Sequence, residues 1–316
     1  MSSEKKTISI IIPAKNEAIH IHKCLKSVVN LDYPSDLFEI IVVDNGSTDE
    51  TIEIAKTFEK VKIIKAPELK VGAVRNIGAL HAKNEILVFL DADCVVDNDW
   101  LNKISAKINI GSVVGGGIIL PEHPTYIEKH WLLEGPYGHS LPKELIGATL
   151  AIYAKDFKSI DGFDEKMTSG EDSDLSLKLR KKKFNINISR DFSVVHLGNA
   201  KTTKAFIKRQ IWHSENYAFN LKNKIKDPVF ILTIAFSVSL YHQVISIFHK
   251  DFAATSLVVA LLCIIMLSVK RLIRTGHILK KKVDIIVILY IDFLYLLGRT
   301  LGLHRSIIKR ILSVKN

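Results

Sequence analysis

The chain has 316 residues, 47% of them hydrophobic, with 8 Pro and 16 Gly. This composition excludes a disordered or collagen-like chain, because it provides enough apolar side chains for one large folded domain or two small ones. The net charge is +11, but residues 1–200 carry 25 Lys and Arg against 28 Asp and Glu, whereas residues 201–316 carry 19 against 5. The basic excess therefore lies in a tail with long apolar runs. This distribution predicts contact with anionic lipid head groups and no nucleic acid partner.

Apolar runs rich in Ile and Val alternate with helical patterns over residues 7–90, which is typical of a parallel sheet with helices on its faces. Strands are predicted at 8–12, 39–43, 62–64 and 85–90, and helices at 18–29 and 72–82, with a capping box at 47–50 that opens a third helix through Phe58. Beyond residue 90 the order is less regular, and we predict strands at 113–120 and 146–154 and a helix at 171–181. The predicted fold class is α/β, with a mixed sheet flanked by helices.

The first apolar run, residues 8–12, ends at Pro13 and is too short for the core of a secretory signal. Cys24, Cys94 and Cys263 lack the spacing of a redox or zinc motif. Together these features predict reduced thiols and an N-terminal domain that stays in the cytosol.

From residue 227 the composition changes to that of a membrane protein. The runs 229–249 and 252–269 are each close to the ~20 residues that a helix needs to cross a bilayer. The second run contains no charged residue, although His242 and Gln243 in the first would also fit a soluble helical subdomain. Lys and Arg residues flank the pair on both sides, so the positive-inside rule places both ends of the pair in the cytosol.

A third apolar run, residues 283–303, carries polar side chains on one narrow stripe, namely Asp284, Asp292, Tyr295 and Arg299. A helix lying in the membrane plane would keep the basic residues that follow on the cytosolic side, whereas a third crossing would export them. Both interpretations remain open. The predicted organisation is a cytosolic domain at 1–226 and a membrane-associated helical region at 227–316, at the cytoplasmic membrane.

Two of the predicted strands end in carboxylates. Asp91 and Asp93 follow the strand at 85–90, and ligands of open α/β sheets bind at the carboxyl ends of strands. Two hard oxygen donors suit Mg²⁺ or Mn²⁺ shared with substrate phosphates. Asp44 ends the strand at 39–43, where a carboxylate can accept hydrogen bonds from a base or ribose. Each pattern also fits a turn or helix cap, so the prediction depends on their combination.

At the predicted helix start, Asp172 shares a face with Leu175 and Leu179, so its carboxylate is predicted to point inward with the apolar stripe. A carboxylate held inward at a helix start could act as a general base. The alternative is that Glu171, Asp172 and Asp174 only complement the helix macrodipole.

Six segments occur in an order that resembles family 2 inverting glycosyltransferases of the GT-A fold: IIIPAKNE at 10–17, VDNGSTDET at 43–51, RN at 75–76, FLDAD at 89–93, GFDE at 162–165 and GEDSDL at 170–175. The resemblance covers about residues 7–200. Each segment is unspecific, but six in sequence form a strong pattern.

The resemblance implies a role for each matching residue. The nucleotide-sugar donor, a UDP- or GDP-sugar, would be bound by Pro13, Asn16, Glu17, Asp44, Arg75, Asp91 and Ala92, with Asp44 at the base and Arg75 near the diphosphate. The metal would be held by Asp93 with Asp91, and His196 resembles a histidine that some relatives add as a further ligand. Asp172 would be the catalytic base, with Glu171 as the alternative.

The function implied is transfer of one sugar to a hydroxyl acceptor, expected to be lipid-linked or a precursor of a cell-surface glycan. The family's processive synthases carry Gln-x-x-Arg-Trp after the base, whereas residues 209–214 read RQIWHS, which favours single addition. Alternatives are a processive synthase, a sugar nucleotidyltransferase, which would need a Gly-rich loop near the first strand, and a non-catalytic membrane adaptor. His123, Trp131, Glu134 and Tyr137 are acceptor-side possibilities that would equally fit ordinary packing.

Overall fold

The computed structural model describes residues 5–133, 141–215, 217, 225, 227–249, 254–276 and 282–314. Contacts group the chain into two compact units, the first comprising Met1–Pro121 and His139–Gly198 and the second Glu122–Gly138 and Asn199–Asn316. The sequence-based division at residue 226 stays a prediction about membrane attachment. The contacts differ from it in grouping residues 122–138 and 199–226 with the C-terminal helices.

Unit 1 is built around a sheet of seven strands in the order β3-β2-β1-β4-β8-β6-β9. In chain order its elements are β1 (Ile8–Ala14), α1 (Ile21–Val29), β2 (Phe38–Asp44), α2 (Thr51–Lys56), β3 (Val61–Lys65), α3 (Val71–His81), β4 (Ile86–Leu90), β5 (Cys94–Val95), α4 (Trp100–Lys107), β6 (Ser112–Gly115), β7 (Ile118–Ile119), β8 (Thr149–Tyr153), α6 (Ala154–Ser159), α7 (Glu171–Lys181), β9 (Asn185–Ile188), a 3₁₀ turn (Arg190–Phe192) and β10 (Val194–His196). The pairs β1–β2, β2–β3, β1–β4 and β6–β9 are parallel, whereas β8 runs antiparallel to β4 and β6. The predicted mixed α/β sheet is confirmed.

The β-branched runs form strands because both faces of the sheet are covered. Ile8, Ile10 and Ile12 of β1 are fully buried in one core, and Ile11 of the same strand is buried in a second core on the opposite face. Side chains alternate between faces along a strand, so a continuous apolar run fits a strand that is buried on both sides.

The strand predicted at 113–120 is wrong as one element, because it divides between two sheets. β6 belongs to the main sheet, whereas β7 pairs with β10 in a separate sheet of three strands, β5-β10-β7. The break lies at Gly116, where an added Cβ would stand 2.1 Å from the carbonyl oxygen of Phe192. Only a glycine permits this close backbone approach.

The capping box predicted at 47–50 does not form. The hydroxyl of Ser47 accepts a hydrogen bond from the backbone N–H of Asn16 at 3.0 Å, and α2 begins only at Thr51. Asp49 Oδ1 accepts from the N–H of Thr51 at 3.1 Å. Ser47 is therefore used to join two turns, and a polar side chain engaged in this way cannot cap the helix.

Unit 2 consists of α5 (Tyr126–Leu132), α8 (Thr203–Ser214), α9 (Pro228–His249), α10 (Ala254–Thr275) and α11 (Lys282–Val314) among the described residues. The last three helices contain stretches long and apolar enough to cross a membrane. Large apolar side chains are exposed on α9 and α10, including Val238, Phe248, Leu257 and Met266. Contiguous exposed apolar surface of this kind marks a membrane or protein contact.

The third apolar run is longer than predicted, because α11 continues from residue 282 to residue 314. The helix also packs closely against α8. An added Cβ at Gly298 would lie 2.7 Å from Cβ of Gln210, and one at Gly302 would lie 2.0 Å from the hydroxyl of Ser214. Two glycines four residues apart thus let the α11 and α8 backbones approach closely, as small residues do between membrane helices.

The polar stripe of α11 faces other helices of unit 2. Asp292 is fully buried and pairs with Arg271, while Ser268 donates to its Oδ2 at 2.6 Å. Arg299 donates to the hydroxyl of Tyr217 at 2.8 Å. The stripe is therefore paired with protein groups of unit 2, as buried polar groups usually are, and the choice between an in-plane helix and a third crossing stays a prediction.

Candidate active site

The carboxyl ends of the parallel strands meet at one edge of the main sheet. The register of β1 and β2 sets Ala14 opposite Asp44, and Asp91 follows the last residue of β4, the strand on the other side of β1. Parallel pairing thus places these predicted site residues on the same edge. The strand-end argument from the sequence describes this edge correctly.

Asp93 and His196 are brought together by the three-stranded sheet. β5 and β10 are antiparallel, with Cys94 directly opposite His196. The N–H of Leu197 donates to the carbonyl of Asp93 at 2.8 Å, so the two segments are held side by side. As a result His196 Nε2 lies 3.4 Å from Asp93 Oδ2.

Ligand atoms of Asp93, Cys94 and His196 lie within 4.8 Å of one another. Burial, with Asp93 beside it, raises the pKa of the Cys94 thiol well above its usual value, and sulfur is a soft ligand that hard cations such as Mn²⁺ disfavour. A carboxylate with an imidazole fits Mn²⁺ better than Mg²⁺, which prefers an all-oxygen shell. The residues present therefore suit a divalent cation held by Asp93 and His196.

Gly198 leaves the space that the Asp93 carboxylate occupies. A Cβ at this position would stand 1.9 Å from Asp93 Oδ2 and 2.8 Å from its Cγ. No side chain fits at this distance, so the carboxylate would have to move. Neither Gly198 nor Cys94 was identified from the sequence, because the pairing of β5 with β10 has no local signal.

We expect Gly198→Ala to weaken Mn²⁺ binding about tenfold or more, since it displaces a ligand carboxylate. Isothermal titration with Mn²⁺ measures the change. The control is Gly111→Ala, where φ is +77° and an added Cβ meets no atom within 4 Å; it should cost stability but leave Mn²⁺ affinity intact. Equal Mn²⁺ affinity in wild type and Gly198→Ala would contradict the site.

The turn after β1 is hydrogen-bonded to the segment after β2. Asn16, at φ +56°, accepts a hydrogen bond from the N–H of Thr48 at 2.8 Å, and the N–H of Glu17 donates to the hydroxyl of Thr51 at 2.7 Å. Pro13 lies one residue before the end of β1. The side-chain oxygen of Asn16 is therefore engaged in shaping this turn.

Asp44 is buried at the tip of β2, where its Oδ1 accepts from the N–H of Ser47 at 2.9 Å. An open cleft of about 520 Å³ beside it is lined by Thr48, Ile52 and Lys65 among other residues. The cleft does not include Asp91 or Asp93. It lies where the resemblance expects the nucleotide base, and Asp44 serves as a turn residue at the same time.

Glu17 is half-buried and turned toward the acidic strand ends. Its Oε2 lies 3.0 Å from His20 Nδ1. Burial raises the pKa of Glu17, and the carboxylates of Asp93 and Asp91 raise it further, against the effect of His20. A cation bound at Asp93 would relieve this repulsion.

Arg75 is almost completely buried and engages two carboxylates. Its Nη2 donates to Asp91 Oδ1 at 2.7 Å, and its Nη1 donates to Glu171 Oε1 at 2.8 Å. Asp91 is thus joined to α3 and α7, apart from the group of Asp93, Cys94 and His196. Ala92, between the two aspartates, is buried.

Asp172 lies in the first turn of α7, half-buried, next to Leu175 and Leu179 in the core. Burial raises its pKa to about 6, and the neighbouring Glu171 adds to this effect, while Arg75 opposes it. A carboxyl group with a pKa near neutrality is suited to proton transfer. Glu171 itself is occupied by Arg75.

The acceptor-side possibilities fall in unit 2 or outside the described residues. His123 is exposed, and Trp131 stacks on Tyr295 with ring centroids 5.0 Å apart. Glu134 and Tyr137 lie outside the described residues. Trp131 thus has the packing role that was the alternative for it.

Residues 9–160 match the model of the family Glycosyl transferase family 2. Glycosyltransferase AglE of Haloferax volcanii is 39% identical over 125 residues, which are 37% of this chain and 41% of that relative. Dolichyl N-acetyl-alpha-D-glucosaminyl phosphate 3-beta-D-2,3-diacetamido-2,3-dideoxy-beta-D-glucuronosyltransferase of Methanococcus voltae is 35% identical over 100 residues, 30% of this chain and 31% of that relative. The chain matches less than half the length of these curated relatives.

A solved structure shares the fold. Mannosyltransferase PcManGT from Pyrobaculum calidifontis, in complex with GDP-Man and Mn²⁺, aligns with a TM-score of 0.58 and 17% identity, covering 98% of this chain and 88% of that chain. This likeness confirms the predicted GT-A fold, with a mixed sheet flanked by helices and followed by apolar C-terminal helices.

Proposed function

Because the N-terminal domain of this chain belongs to glycosyl transferase family 2, we propose that the chain is a membrane-attached inverting glycosyltransferase that uses a divalent cation. The donor is a UDP- or GDP-sugar and the acceptor is a hydroxyl group. The observation that carries this proposal is the buried Arg75, which joins Asp91 to Glu171. Asp91 is two residues from the proposed metal ligand Asp93, and Glu171 is next to the proposed base Asp172, which supports assigning both roles to one site.

The proposed reaction is one direct displacement. The carboxylate of Asp172 accepts the proton of the acceptor hydroxyl, whose oxygen attacks the anomeric carbon as the bond to the nucleoside diphosphate breaks. Attack opposite the leaving group inverts the configuration. Asp44 contributes hydrogen-bond acceptors for the nucleotide base, and Asp93 with His196 holds the cation. When bound, the cation neutralises charge on the departing diphosphate.

The acceptor we propose is lipid-linked. Three helices of unit 2 are candidate membrane spans, and α9 and α10 expose apolar side chains. The Methanococcus relative is named for a dolichyl-phosphate-linked sugar acceptor, which is the same chemical class. Basic residues before α9 and after α10 favour a location at the cytoplasmic membrane with the catalytic domain in the cytosol.

We expect the detergent-solubilised protein to transfer label from one radiolabelled UDP- or GDP-sugar to an organic-extractable product when Mn²⁺ and membrane lipids are supplied. Thin-layer chromatography should show one product with a single added sugar, as residues 209–214 lack the processive motif. A ladder of products would support the processive alternative. Absence of transfer and of donor hydrolysis with every donor would contradict the proposed function.

A further inference from the structure

Arg75 ties two distant parts of the site together. Its guanidinium bonds the carboxylate of Asp91, which follows β4, and that of Glu171, the first residue of α7. We infer that Arg75 is a positioning residue for the proposed transfer. Its two salt bridges, with Asp91 and with Glu171, hold the Asp172 carboxylate in place relative to Asp93. This inference rests on the proposed function and assigns Arg75 a different part from the diphosphate contact that the family resemblance implies.

The surroundings of the guanidinium leave it little freedom. Gly147 lies against it so closely that an added Cβ would stand 2.4 Å from Nη2, and the ring of Phe163 lies 5.4 Å from the guanidinium carbon. Both Arg75 and Glu171 are buried. An arginine can bond two carboxylates at once through its planar fork, whereas a lysine ammonium acts as a point charge. The site is therefore specific for arginine.

Gly147 lies between these salt bridges of Arg75 and Asp172. Its backbone N–H lowers the pKa of the Asp172 carboxyl group, and the N–H of Ser173 donates to Asp172 Oδ1 at 2.7 Å. The α-carbon of the same glycine packs against the Arg75 guanidinium. A displacement of Arg75 would consequently move both Glu171, the residue next to the base, and the backbone N–H of Gly147 that acts on it, even though Arg75 itself need not touch the substrate.

The charges that act on Asp172 come from two elements and have opposite signs. Glu171 of α7 raises the pKa of Asp172, whereas Arg75 of α3 lowers it. Loss of the Glu171 charge should therefore shift the acidic limb of the kcat/KM profile to lower pH. Loss of the Arg75 charge should shift the same limb to higher pH, because Asp172 then releases its proton less readily.

The test compares Glu171→Gln, Arg75→Lys and Arg75→Gln with wild type by kcat and by kcat/KM as functions of pH, with the limb read from kcat/KM. We expect kcat on the plateau to fall by about tenfold to ~10²-fold in each variant, the loss typical of a reacting group displaced by about 1 Å. The midpoint of the acidic limb should move to lower pH for Glu171→Gln and to higher pH for Arg75→Gln. For Arg75→Lys, which keeps the positive charge, the midpoint should stay close to that of wild type. Mn²⁺-dependent donor binding should stay within about threefold of wild type.

Asp174→Asn is the matched control. Asp174 lies in the same first turn of α7 but pairs with Lys178 at 3.2 Å on the partly exposed side, so its loss should leave the plateau and the midpoint unchanged. Thermal unfolding verifies that each variant is folded; if Arg75→Gln is not, Glu171→Gln and Arg75→Lys decide. If wild type is active and the Arg75 and Glu171 variants behave like Asp174→Asn, the positioning role is overturned and the proposed function stands. If wild type itself is inactive, the proposed function is overturned.

Discussion

Asp93→Ala should abolish sugar transfer and, at the same time, the Mn²⁺-dependent part of donor binding. Asp93 lies beside His196, with 3.4 Å between Oδ2 and Nε2, and the two form the proposed cation site. A metal ion contributes several kcal/mol to stabilising charge in a transition state, and each ~1.4 kcal/mol corresponds to about tenfold in rate. We therefore expect kcat to fall by ~10³-fold or more.

The measurements are initial rates and donor affinity, each with and without Mn²⁺. Asp97→Ala is the matched control, because Asp97 belongs to the same acidic segment but is exposed and lies 3.9 Å from Lys103. It should behave as wild type. His196→Ala should show a smaller loss, since a carboxylate and water can still hold a hard cation. Retention of Mn²⁺-dependent donor binding by Asp93→Ala would refute the ligand role.

The helix α7 illustrates what local sequence signals can predict. The structure has it at Glu171–Lys181, as the sequence predicts, because both its acidic start and its apolar stripe lie within a few turns. The strands in the parallel half of the sheet are predictable for the same reason, since runs such as Ile8–Ala14 are buried on both faces. Prediction succeeded where each residue's environment depends on its neighbours in the chain.

The contacts that complete the site are not local. His196 reaches Asp93 only because β10 pairs with the short strand β5, and nothing in Cys94–Val95 signals a strand of two residues. Likewise the partners of Arg75 are Asp91, which follows β4, and Glu171 of α7, so its role depends on tertiary packing. The stripe on α11 also depends on tertiary packing, because Asp292 is buried with Arg271 and Ser268 of α10, although charged side chains are usually exposed.

Asp172→Asn should remove the base while leaving donor binding nearly intact. An amide is close in shape to the carboxylate but cannot accept the proton of the acceptor hydroxyl, so we expect kcat to fall by ~10² to 10⁴-fold. Asp174→Asn is again the control, as its side chain pairs with Lys178 on the same helix. Donor affinity weakened as strongly as in Asp93→Ala would contradict the assignment of Asp172 as base.

The pH dependence of kcat/KM provides an independent test of the same residue. Burial, reinforced by Glu171, raises the pKa of Asp172 to about 6, so the carboxyl group is protonated and unable to act as base below that pH. Wild-type kcat/KM, which reports the pKa values of the free enzyme, should therefore rise as the pH increases through about 6 and reach a plateau above it. The residual activity of Asp172→Asn should lack this limb, because no group of that pKa remains at the position. A limb that persists unchanged in the variant would assign the titration, and with it the base, to another residue.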